Sequence, residues 1–448
     1  MMNINKEDLD SFEKRRNYTV SVIECGRMGV PHACLFANAG FKVIGVNTNL
    51  HTLEMLKKGQ TPFLRNAYQG LEKHVKEGSF SASSDIRKAT SESDIVVITV
   101  QTVIDQRRKP DYSLLEKTCR EVGMGLKKGS LIIFASPTGP GIVEGSMREV
   151  LEKSSGLRIG VDFGLAYGAL QLNSQGNNAC IVVGAIDGSS LKTATLVLRS
   201  LTNSEVVEIS NIKTVEALVL FQNVNSEMNQ ALSNELAFLC ERLKIDFLEV
   251  LKVMNKGNIS PLPLPGMMDT SSRRDLYMLQ EEAENVNFNL HLTSLASRIN
   301  DEVVESTFRL VKNALKTCGK TVRGSKISIF GISKSPNTRE PPATLTKNIV
   351  ALLKKKVRVV QVYDPYFSKR EMAELGFETE KLSKVVEKTD CVLILTGHSK
   401  FGKLNLKKVK LLAKKSPAIV DISHVIDPLK AERHGFVYRG LGRGVWTK

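Results

Sequence analysis

The first feature of the sequence that could carry chemistry is a glycine-containing turn, E-C-G-R-M-G, at residues 24–29. A dinucleotide site wants G-x-G-x-x-G after its first strand, so that the backbone can approach a pyrophosphate, and an acid after its second strand to hold a ribose diol. Gly26 and Gly29 hold the second and third glycine positions, whereas Glu24 occupies the first and Asn47 replaces the acid. A helix that only packs its N-terminus on a sheet would show the same pattern.

These departures change the chemistry expected at the turn. Glu24 would crowd it and bring an anion near the phosphates, and Asn47 could hydrogen-bond a hydroxyl only without charge assistance. The turn still predicts a site for NAD, bound by Gly26, Arg27, Met28, Gly29 and Asn47.

Apolar runs around this turn indicate the elements that must position it. A β-rich run at 18–23 is followed by apolar residues at helical spacing up to Gly40 and by a second β-rich run at 41–47. This strand–helix–strand order is typical of a nucleotide-binding α/β fold. With further predicted strands at 94–100, 130–136 and 179–185, the first part of the chain predicts a doubly wound parallel sheet.

The middle of the chain has a different pattern. Residues 214–256 contain neither Gly nor Pro and predict one long helix, of a length typical of helices that bridge domains or dimerise. The Pro-rich segment 260–266 interrupts it, and helical residues resume until Lys316.

A second α/β lobe follows, with the same alternation of strands and helices. Its strands are predicted at 326–332, 357–365, 390–396 and 417–423, with a helix around 343–355. The predicted fold class is α/β, with two Rossmann-like lobes joined by a central helical domain. The predicted boundaries are 1–17 for a charged extension, 18–213 for the NAD-binding domain, 214–318 for the helical domain and 319–448 for the C-terminal lobe.

The composition favours a globular protein of the cytoplasm. No apolar stretch approaches the length of a membrane span, and the N-terminus is charged where a secretory signal would be apolar. The seven cysteines form no CxxC pair, so we expect buried thiols and no metal site. The net charge of +16 would suit a phosphate-bearing ligand, and its basic runs lack the interleaved aromatic residues of a nucleic-acid platform.

Several stretches resemble a known family in the order in which they occur. They are GVPHACLFANAGFKVIGVN, VQTVIDQRRKPDYSLLE, ASPTGPGIVE, DFGLAY, LFQNVNSEMNQALSNELAFLCERLKID and SPNTREPPA with the segments that follow it. From about residue 18 to the C-terminus, the chain resembles the UDP-glucose / UDP-N-acetylmannosamine dehydrogenase family, most closely its N-acetylhexosamine branch. The resemblance implies NAD-dependent oxidation of a UDP-sugar at C6, through a cysteine thiohemiacetal, for polysaccharide synthesis.

When the family's functional residues are carried over one by one, most of the side chains that this reaction requires are missing. Ser271 falls at the nucleophilic cysteine, Val219 at the lysine that stabilises the oxyanion, and Leu170 at the glutamate of Y-S-P-E-R. Asn223 and Asp275 keep their positions, so the predicted catalytic residues are Ser271, Asn223 and Asp275. Thr102 and Ser136 are the further predicted cofactor-binding residues. Other family positions have changed at Ala135, Pro137, Asn225, Ser226, Met268 and Asp269.

The substrate positions are better preserved. Arg339 matches the family's R-E-S-P arginine, which meets the substrate across a subunit boundary, and Lys334 lies near the lysine before P-N-T. His424 and Tyr277 complete the predicted substrate-binding residues. A solvated surface arginine and a satisfied structural histidine are the plain alternatives for Arg339 and His424.

Three hypotheses remain open from the sequence. The chain is an active UDP-sugar dehydrogenase, or a non-catalytic paralogue, or it uses Asp269, Asp275, Arg273 and Arg274 for different chemistry in the same cleft. The paralogue would bind a nucleotide sugar or pair with an active homologue through the 214–255 helix. Because losses within one catalytic unit are non-additive, the combined changes predict impaired or absent four-electron oxidation.

Overall fold

The computed structural model describes residues 4–61, 70–105, 107–170, 180–256, 261–267 and 270–446, with only the backbone described at 170 and 270–272. The chain divides into two compact units, which are Met1–Asn223 with Arg274–Asn289, and Val224–Arg273 with Leu290–Lys448. The predicted domain boundaries stay predictions.

Strands of the first unit form a large sheet. Their bounds are β1 Thr19–Ile23, β2 Lys42–Val46, β3 Phe80–Ser83, β4 Ile95–Ile98, β5 Val103–Ile104, β6 Pro110–Asp111, β7 Leu131–Phe134, β8 Gly164–Leu170, β9 Ile181–Ala185 and β10 Val206–Ile209. The sheet order is β10-β9-β8-β7-β4-β1-β2-β3, and β5 pairs with β6 as a separate hairpin. Apolar side chains are buried on both faces of the central strands, as in sheets covered by helices on both sides.

The first sheet departs from the predicted parallel arrangement at one pairing. Strand β8 runs antiparallel to β9, while the other pairs in this sheet are parallel. Only residues 171–180 connect β8 to β9, which is fewer than the dozen or so that a parallel crossover needs.

Helices cover this sheet and lead into the second unit. Those before the unit boundary are α1 Phe12–Arg15, α2 Gly29–Asn38, α3 Leu50–Lys57, α4 Gly70–Lys76, α5 Ile86–Ser91, α6 Ser113–Gly125, α7 Arg148–Ser155 and α8 Gly188–Arg199. Helix α9 (Ile212–Leu243) begins in the first unit and continues in the second, and α11 (Thr270–Asn285) also contributes to both.

The second unit has a smaller sheet, which is parallel throughout. Its strands are β11 Lys326–Phe330, β12 Val359–Tyr363, β13 Cys391–Ile394, β14 Ala418–Asp421 and β15 Val437–Gly440, in the order β12-β11-β13-β14-β15. Its other helices are α10 Phe247–Lys256, α12 His291–Thr317, α13 Thr344–Lys356, α14 Lys369–Glu374, α15 Leu382–Val386, α16 Ser399–Gly402, α17 Leu406–Leu412 and α18 Pro428–Arg433. The predicted α/β class with two Rossmann-like sheets is confirmed.

The long helix predicted over 214–256 is interrupted. Helix α9 ends at Leu243 and α10 begins at Phe247. Lys244 takes a left-handed φ of 58°, and Asp246 accepts a hydrogen bond from the Leu248 N–H and forms an ion pair with Arg443 at 3.1 Å. The continuous apolar periodicity hid this break, because its cause is a partner about 200 residues away.

Two further observations concern composition. Within the described ranges, no helix is long and apolar enough to cross a membrane, and no cluster of His, Cys, Asp and Glu could hold a metal ion. All the cysteines are free thiols, but only four are buried, and Cys180, Cys240 and Cys318 are partly exposed.

Candidate functional site

The turn after β1 keeps the shape of a dinucleotide turn although its first glycine is missing. Glu24 adopts a left-handed φ of 58°, and the Thr99 hydroxyl donates to the carbonyls of Ile23 and Glu24 at 2.7 and 3.0 Å. A Cβ on Gly29 would lie 2.8 Å from Thr99 Oγ1 and 3.0 Å from the Glu24 carbonyl. Only glycine fits at 29, so the close packing of α2 on the strands survives.

The side chains around this turn point to the end of β2. The Thr48 hydroxyl donates to Glu24 Oε1 at 3.1 Å, and the buried Asn47 accepts the Asn49 N–H at 3.0 Å. Arg27 and Met28 lie between the two glycines and are half-buried, and Met28 provides no side-chain cap to α2. The first N–H groups of α2 are therefore not capped by a side chain, as an anion-binding helix end requires.

The loop after β7 brings Thr102 and Ser136 together. The Thr102 hydroxyl donates to the Pro137 carbonyl at 3.1 Å, and the buried Tyr167 hydroxyl donates to the Ser136 carbonyl at 2.8 Å. The Ser136 hydroxyl is buried and has no hydrogen-bond partner among the described residues. A buried polar atom of this kind calls for a partner, which the described part of the chain does not supply.

A glutamate that the sequence analysis did not single out fixes this loop. The fully buried Glu216, in the first turns of α9, accepts hydrogen bonds from the Thr138 hydroxyl at 2.9 Å, the Gly141 N–H at 2.6 Å and the Val143 N–H at 3.0 Å. Burial raises the pKa of Glu216 to about 7. An acid within the apolar run VEALVLF was the available signal, since a buried charge needs partners.

The predicted catalytic residues Asn223 and Asp275 are in contact. The Asn223 amide donates to Asp275 Oδ2 at 2.5 Å, and Arg274 Nε donates to Asp275 Oδ1 at 3.1 Å. Burial raises the pKa of Asp275, and Arg274 and Asn223 oppose this. Tyr277 of α11 lies under the Arg108 guanidinium at 5.6 Å, and Glu284, two turns later in the same helix, is ion-paired with Lys109.

Of the three positions that the resemblance assigns to lysine, cysteine and glutamate, the structure describes the side chain at one, Val219. Val219 is half-buried and packs against the apolar core on one face of the first sheet. Ser271 lies in the first turn of α11 and Leu170 ends β8, but their side chains lie outside what is described. Met268 and Asp269 also fall outside the described residues.

The second unit contains a cavity of about 250 Å³ at the carboxyl edge of its sheet. Lys334 and His424 both line it, together with the segment 264–267 and residues that follow β13 and β14. The His424 ring donates from Nε2 to the Pro265 carbonyl at 2.9 Å, while its buried Nδ1 has no partner among the described residues. Burial lowers the pKa of His424, which favours the neutral ring, and the Nδ1 of a neutral ring that donates from Nε2 can accept a hydrogen bond from a ligand.

A buried Asp–His pair holds the loop that carries Lys334. The carboxylate of Asp364 accepts hydrogen bonds from the N–H groups of Ile332 and Ser333, the Ser333 hydroxyl, the Tyr366 N–H and His398 Nε2, at 2.8 to 3.0 Å. On its other nitrogen, His398 accepts the Asn337 N–H at 2.8 Å. The sequence analysis did not single out Asp364, because its partners lie in distant segments of the chain.

Arg339 lies at the edge of the same loop. Its guanidinium is ion-paired with Glu371 of α14 and its side chain is 42% exposed. Of the predicted substrate-binding residues, the second unit therefore brings Lys334 and His424 to one cavity and leaves Arg339 outside its lining, while Tyr277 belongs to the first unit.

Comparison with known proteins gives this geometry a family. Three family models match the chain, described as the NAD-binding, central and UDP-binding domains of the UDP-glucose/GDP-mannose dehydrogenase family, at residues 18–187, 213–302 and 328–428. The chain belongs to the UDP-glucose/GDP-mannose dehydrogenase family. The turn after β1 lies in the family's NAD-binding domain, and the cavity beside Lys334 borders its UDP-binding domain.

Members of this family match nearly the whole chain. The UDP-N-acetyl-D-mannosamine dehydrogenase of Pyrococcus horikoshii is 25% identical over 438 residues, covering 95% of this chain and 99% of the relative. The UDP-N-acetyl-D-glucosamine 6-dehydrogenase of Pseudomonas aeruginosa is 28% identical, covering 93% and 99%.

Solved structures agree with these sequence matches. The structure of the Pyrococcus horikoshii UDP-D-ManNAc dehydrogenase superposes with a TM-score of 0.84 at 25% identity, covering 95% of this chain and all of that one. That of an NDP-N-acetyl-D-galactosaminuronic acid dehydrogenase from Methanosarcina mazei Go1 gives 0.76 at 28% identity, covering 98% and 99%. The fold therefore extends over nearly the full length of these relatives.

Proposed function

We propose that this member of the family binds a UDP-N-acetylhexosamine and NAD but does not complete the oxidation of the sugar's C6 alcohol to a carboxylate. The observation that carries the proposal is the set of partners of Asp275. Among the described residues these are Asn223 and Arg274, and neither is a lysine amine or a cysteine thiol.

The four-electron reaction needs groups with particular chemistry. A thiolate must add to the aldehyde, and a cation must stabilise the oxygen on which negative charge develops. Val219 offers an apolar side chain at the family's lysine position, and residues 214–243 of α9 contain no lysine. Ser271 offers a hydroxyl, which is a far poorer nucleophile than a thiolate unless a base activates it.

The first unit retains features that fit NAD. They are the left-handed turn at Glu24, the required glycine at 29, the uncapped start of α2 and the unpartnered Ser136 hydroxyl. Gly26, Arg27, Met28, Gly29, Asn47, Thr102 and Ser136 are the residues proposed to hold the cofactor. When bound, NAD supplies the hydride acceptor.

The second unit supplies the proposed UDP-binding residues. Lys334 and His424 line the cavity. Lys334 carries a positive charge, and the buried Nδ1 of His424, which has no partner among the described residues, can accept a hydrogen bond. The rigid loop around Asp364 and His398 fixes the backbone next to Lys334, which lowers the entropy lost on binding. Arg339 is proposed to exchange its exposed contact with Glu371 for the substrate.

Titration calorimetry tests binding and chemistry separately. NAD, UDP-glucose, UDP-N-acetylglucosamine and UDP-N-acetylmannosamine are titrated singly, and NADH absorbance is then followed on mixing. We expect binding of NAD and of a UDP-N-acetylhexosamine without accumulation of NADH. Sustained NADH formation, or failure of every UDP-sugar to bind, would overturn the proposal.

Replacing the serine alone sharpens this test. We predict that Ser271→Cys does not restore turnover, because Val219 and Leu170 still leave the oxyanion and the attacking water without charged partners. The measurement is NADH production by the variant, with Ser272→Cys as a control for adventitious thiol reactivity. Robust NADH production by Ser271→Cys would contradict the assignment of the other two positions.

A role in pairing is favoured by the surface of α9. Within the second unit, Leu232, Leu239 and Leu243 are exposed, at spacings of seven and four residues that place them along one side of the helix. We propose that this side binds a second copy or an active homologue. Light scattering of the protein and of Leu239→Asp should give a dimer and a monomer respectively, and a monomeric parent protein would exclude self-pairing.

The compartment is also a proposal. Free thiols at every cysteine suit a reducing environment, so we propose that the protein works in the cytoplasm.

A further inference from the structure

Two departures from the dinucleotide pattern meet at one place in the first unit. Glu24 replaces the first glycine and Asn47 replaces the acid after β2. The Glu24 carboxylate reaches Thr48, the residue next to Asn47, and accepts the Thr48 hydroxyl on Oε1 at 3.1 Å. A carboxylate thus lies beside the end of β2 although the residue that ends the strand carries none.

Asn47 is a weaker acceptor for a ribose diol than the acid that the pattern calls for, because its side chain is uncharged and one lone pair of its amide oxygen is already used. Its amide oxygen already accepts the Asn49 N–H at 3.0 Å, and the side chain is 5% exposed. The remaining amide nitrogen is a donor. By contrast, Glu24 Oε2 has no hydrogen-bond partner among the described residues, and the Glu24 side chain is only half-buried.

The direction of the Glu24 side chain is set by its backbone. The left-handed φ of 58° is held by the Thr99 hydroxyl, which donates to the Glu24 carbonyl, and by the Cys25 N–H, which donates to the Val46 carbonyl at 2.7 Å. These two hydrogen bonds fix the backbone of Glu24 against β2 and against Thr99, which follows β4. Thr48 bonds the carboxylate, so the Glu24 side chain is held both at its backbone and at its tip.

We propose that Glu24 is the ribose acceptor of this site, standing in for the acid missing at Asn47, and that it selects NAD over NADP. A carboxylate accepts hydrogen bonds from the 2′- and 3′-hydroxyls and repels a 2′-phosphate. The inference rests on the NAD binding in the proposed function. The carboxylate that the pattern normally has after β2 would then come from the first glycine position, which accounts for both departures together.

The test is a set of dissociation constants measured by calorimetry, without turnover. NAD, NADP and ADP-ribose are titrated into the parent protein, Glu24→Gln and Glu24→Gly, with Glu92→Gln as the matched exposed control. The parent should bind NAD at least about tenfold more tightly than NADP, which corresponds to one charge-assisted hydrogen bond. Glu24→Gln should weaken NAD and ADP-ribose by about tenfold and bring the NAD to NADP ratio towards one.

Three outcomes would overturn the inference. They are unchanged NAD affinity in Glu24→Gln, a parent protein that prefers NADP, and tighter NAD binding by Glu24→Gly, which would mean that Glu24 obstructs the site. Thermal unfolding of each variant checks folding, and Glu24→Gly should be no less stable because glycine adopts the positive φ without strain. Titrating a UDP-N-acetylhexosamine into the same samples separates the two proposals. If the sugar binds and NAD does not, the Glu24 inference fails while sugar binding stands.

Discussion

Each unit of the protein fixes a loop at the carboxyl edge of its sheet with one buried carboxylate, but the two carboxylates have opposite surroundings. Glu216 holds the loop after β7, and burial raises its pKa to about 7. For Asp364, which holds the loop after β11, burial also raises the pKa, but His398 and the loop N–H groups outweigh it and the net pKa is lowered. The number and charge of the donors therefore decide the ionisation of such a carboxylate more than its depth does.

A second contrast concerns the ends of the second strands. The first unit has Asn47 after β2, whereas the second has Asp364 after β12. Asp364 is buried, and its carboxylate accepts hydrogen bonds from the loops that follow β11 and β13 and from Tyr366, so this acid holds protein groups in place of a ribose. An acid at a strand end predicts ligand binding only if its acceptors remain open.

The largest effect is expected from Asp364→Asn. Both oxygens of Asp364 accept hydrogen bonds, so in either orientation the NH2 group of the new amide would face a donor instead of accepting from it. We therefore expect the unfolding free energy of the second unit to fall by about 3 kcal/mol. Trp446 is the only tryptophan of the chain and packs against Tyr438 of β15 at 6.1 Å, so urea unfolding followed by its fluorescence reports on this unit. Glu378→Gln is the exposed control, and equal stability of both variants would remove the contrast between the two loops.

A pH-dependent effect of similar size is expected at Glu216. Its pKa is about 7 in the folded protein, against the ordinary value of 4.5 for an exposed glutamate in the unfolded chain, so the folded state binds the proton more tightly. As the pH rises from about 4.5 to about 7, the unfolding free energy should fall by roughly 3 kcal/mol. Glu216→Gln should lose this slope in circular-dichroism melts, and Glu92→Gln should keep it.

The slope expected for Asp364 has the opposite sign. Its lowered pKa stabilises the fold above the usual value of 3.8, and this contribution is lost as the pH falls through the folded-state pKa. A parent protein whose stability showed neither trend would contradict both assignments.

The smallest effect on stability is expected at Arg339. Its pair with Glu371 is half-exposed, so Arg339→Ala should change the unfolding free energy by less than about 1 kcal/mol. Binding of a UDP-N-acetylhexosamine should nevertheless weaken if the arginine contacts the ligand as proposed. Arg370→Ala, on the exposed side of α14, is the matched control for loss of a surface arginine.

Much of the fold could be predicted because local patterns determine it. The apolar runs at 94–100 and 130–136 are buried strands, and the Gly-to-Gly spacing at 26–29 marks the start of α2. The strands β3, β5, β6, β8, β10 and β15 were not predicted, since each is short or lies in a segment without strict alternation. The contact of Asn223 with Asp275 was not visible in either segment alone, because 52 residues separate them.

The two α/β lobes, the helical middle and the family could be predicted from the sequence alone, because they follow from periodicity and from motifs in a fixed order. The partners of individual side chains became visible only in the folded chain. Glu216 meets a loop 78 residues earlier in the chain, and Asp364 meets His398 34 residues later. Glu24, which follows β1, accepts a hydrogen bond from Thr48, which follows the neighbouring strand β2. Hydrogen bonds of buried carboxylates are made between distant segments, and no local pattern records the distance between them.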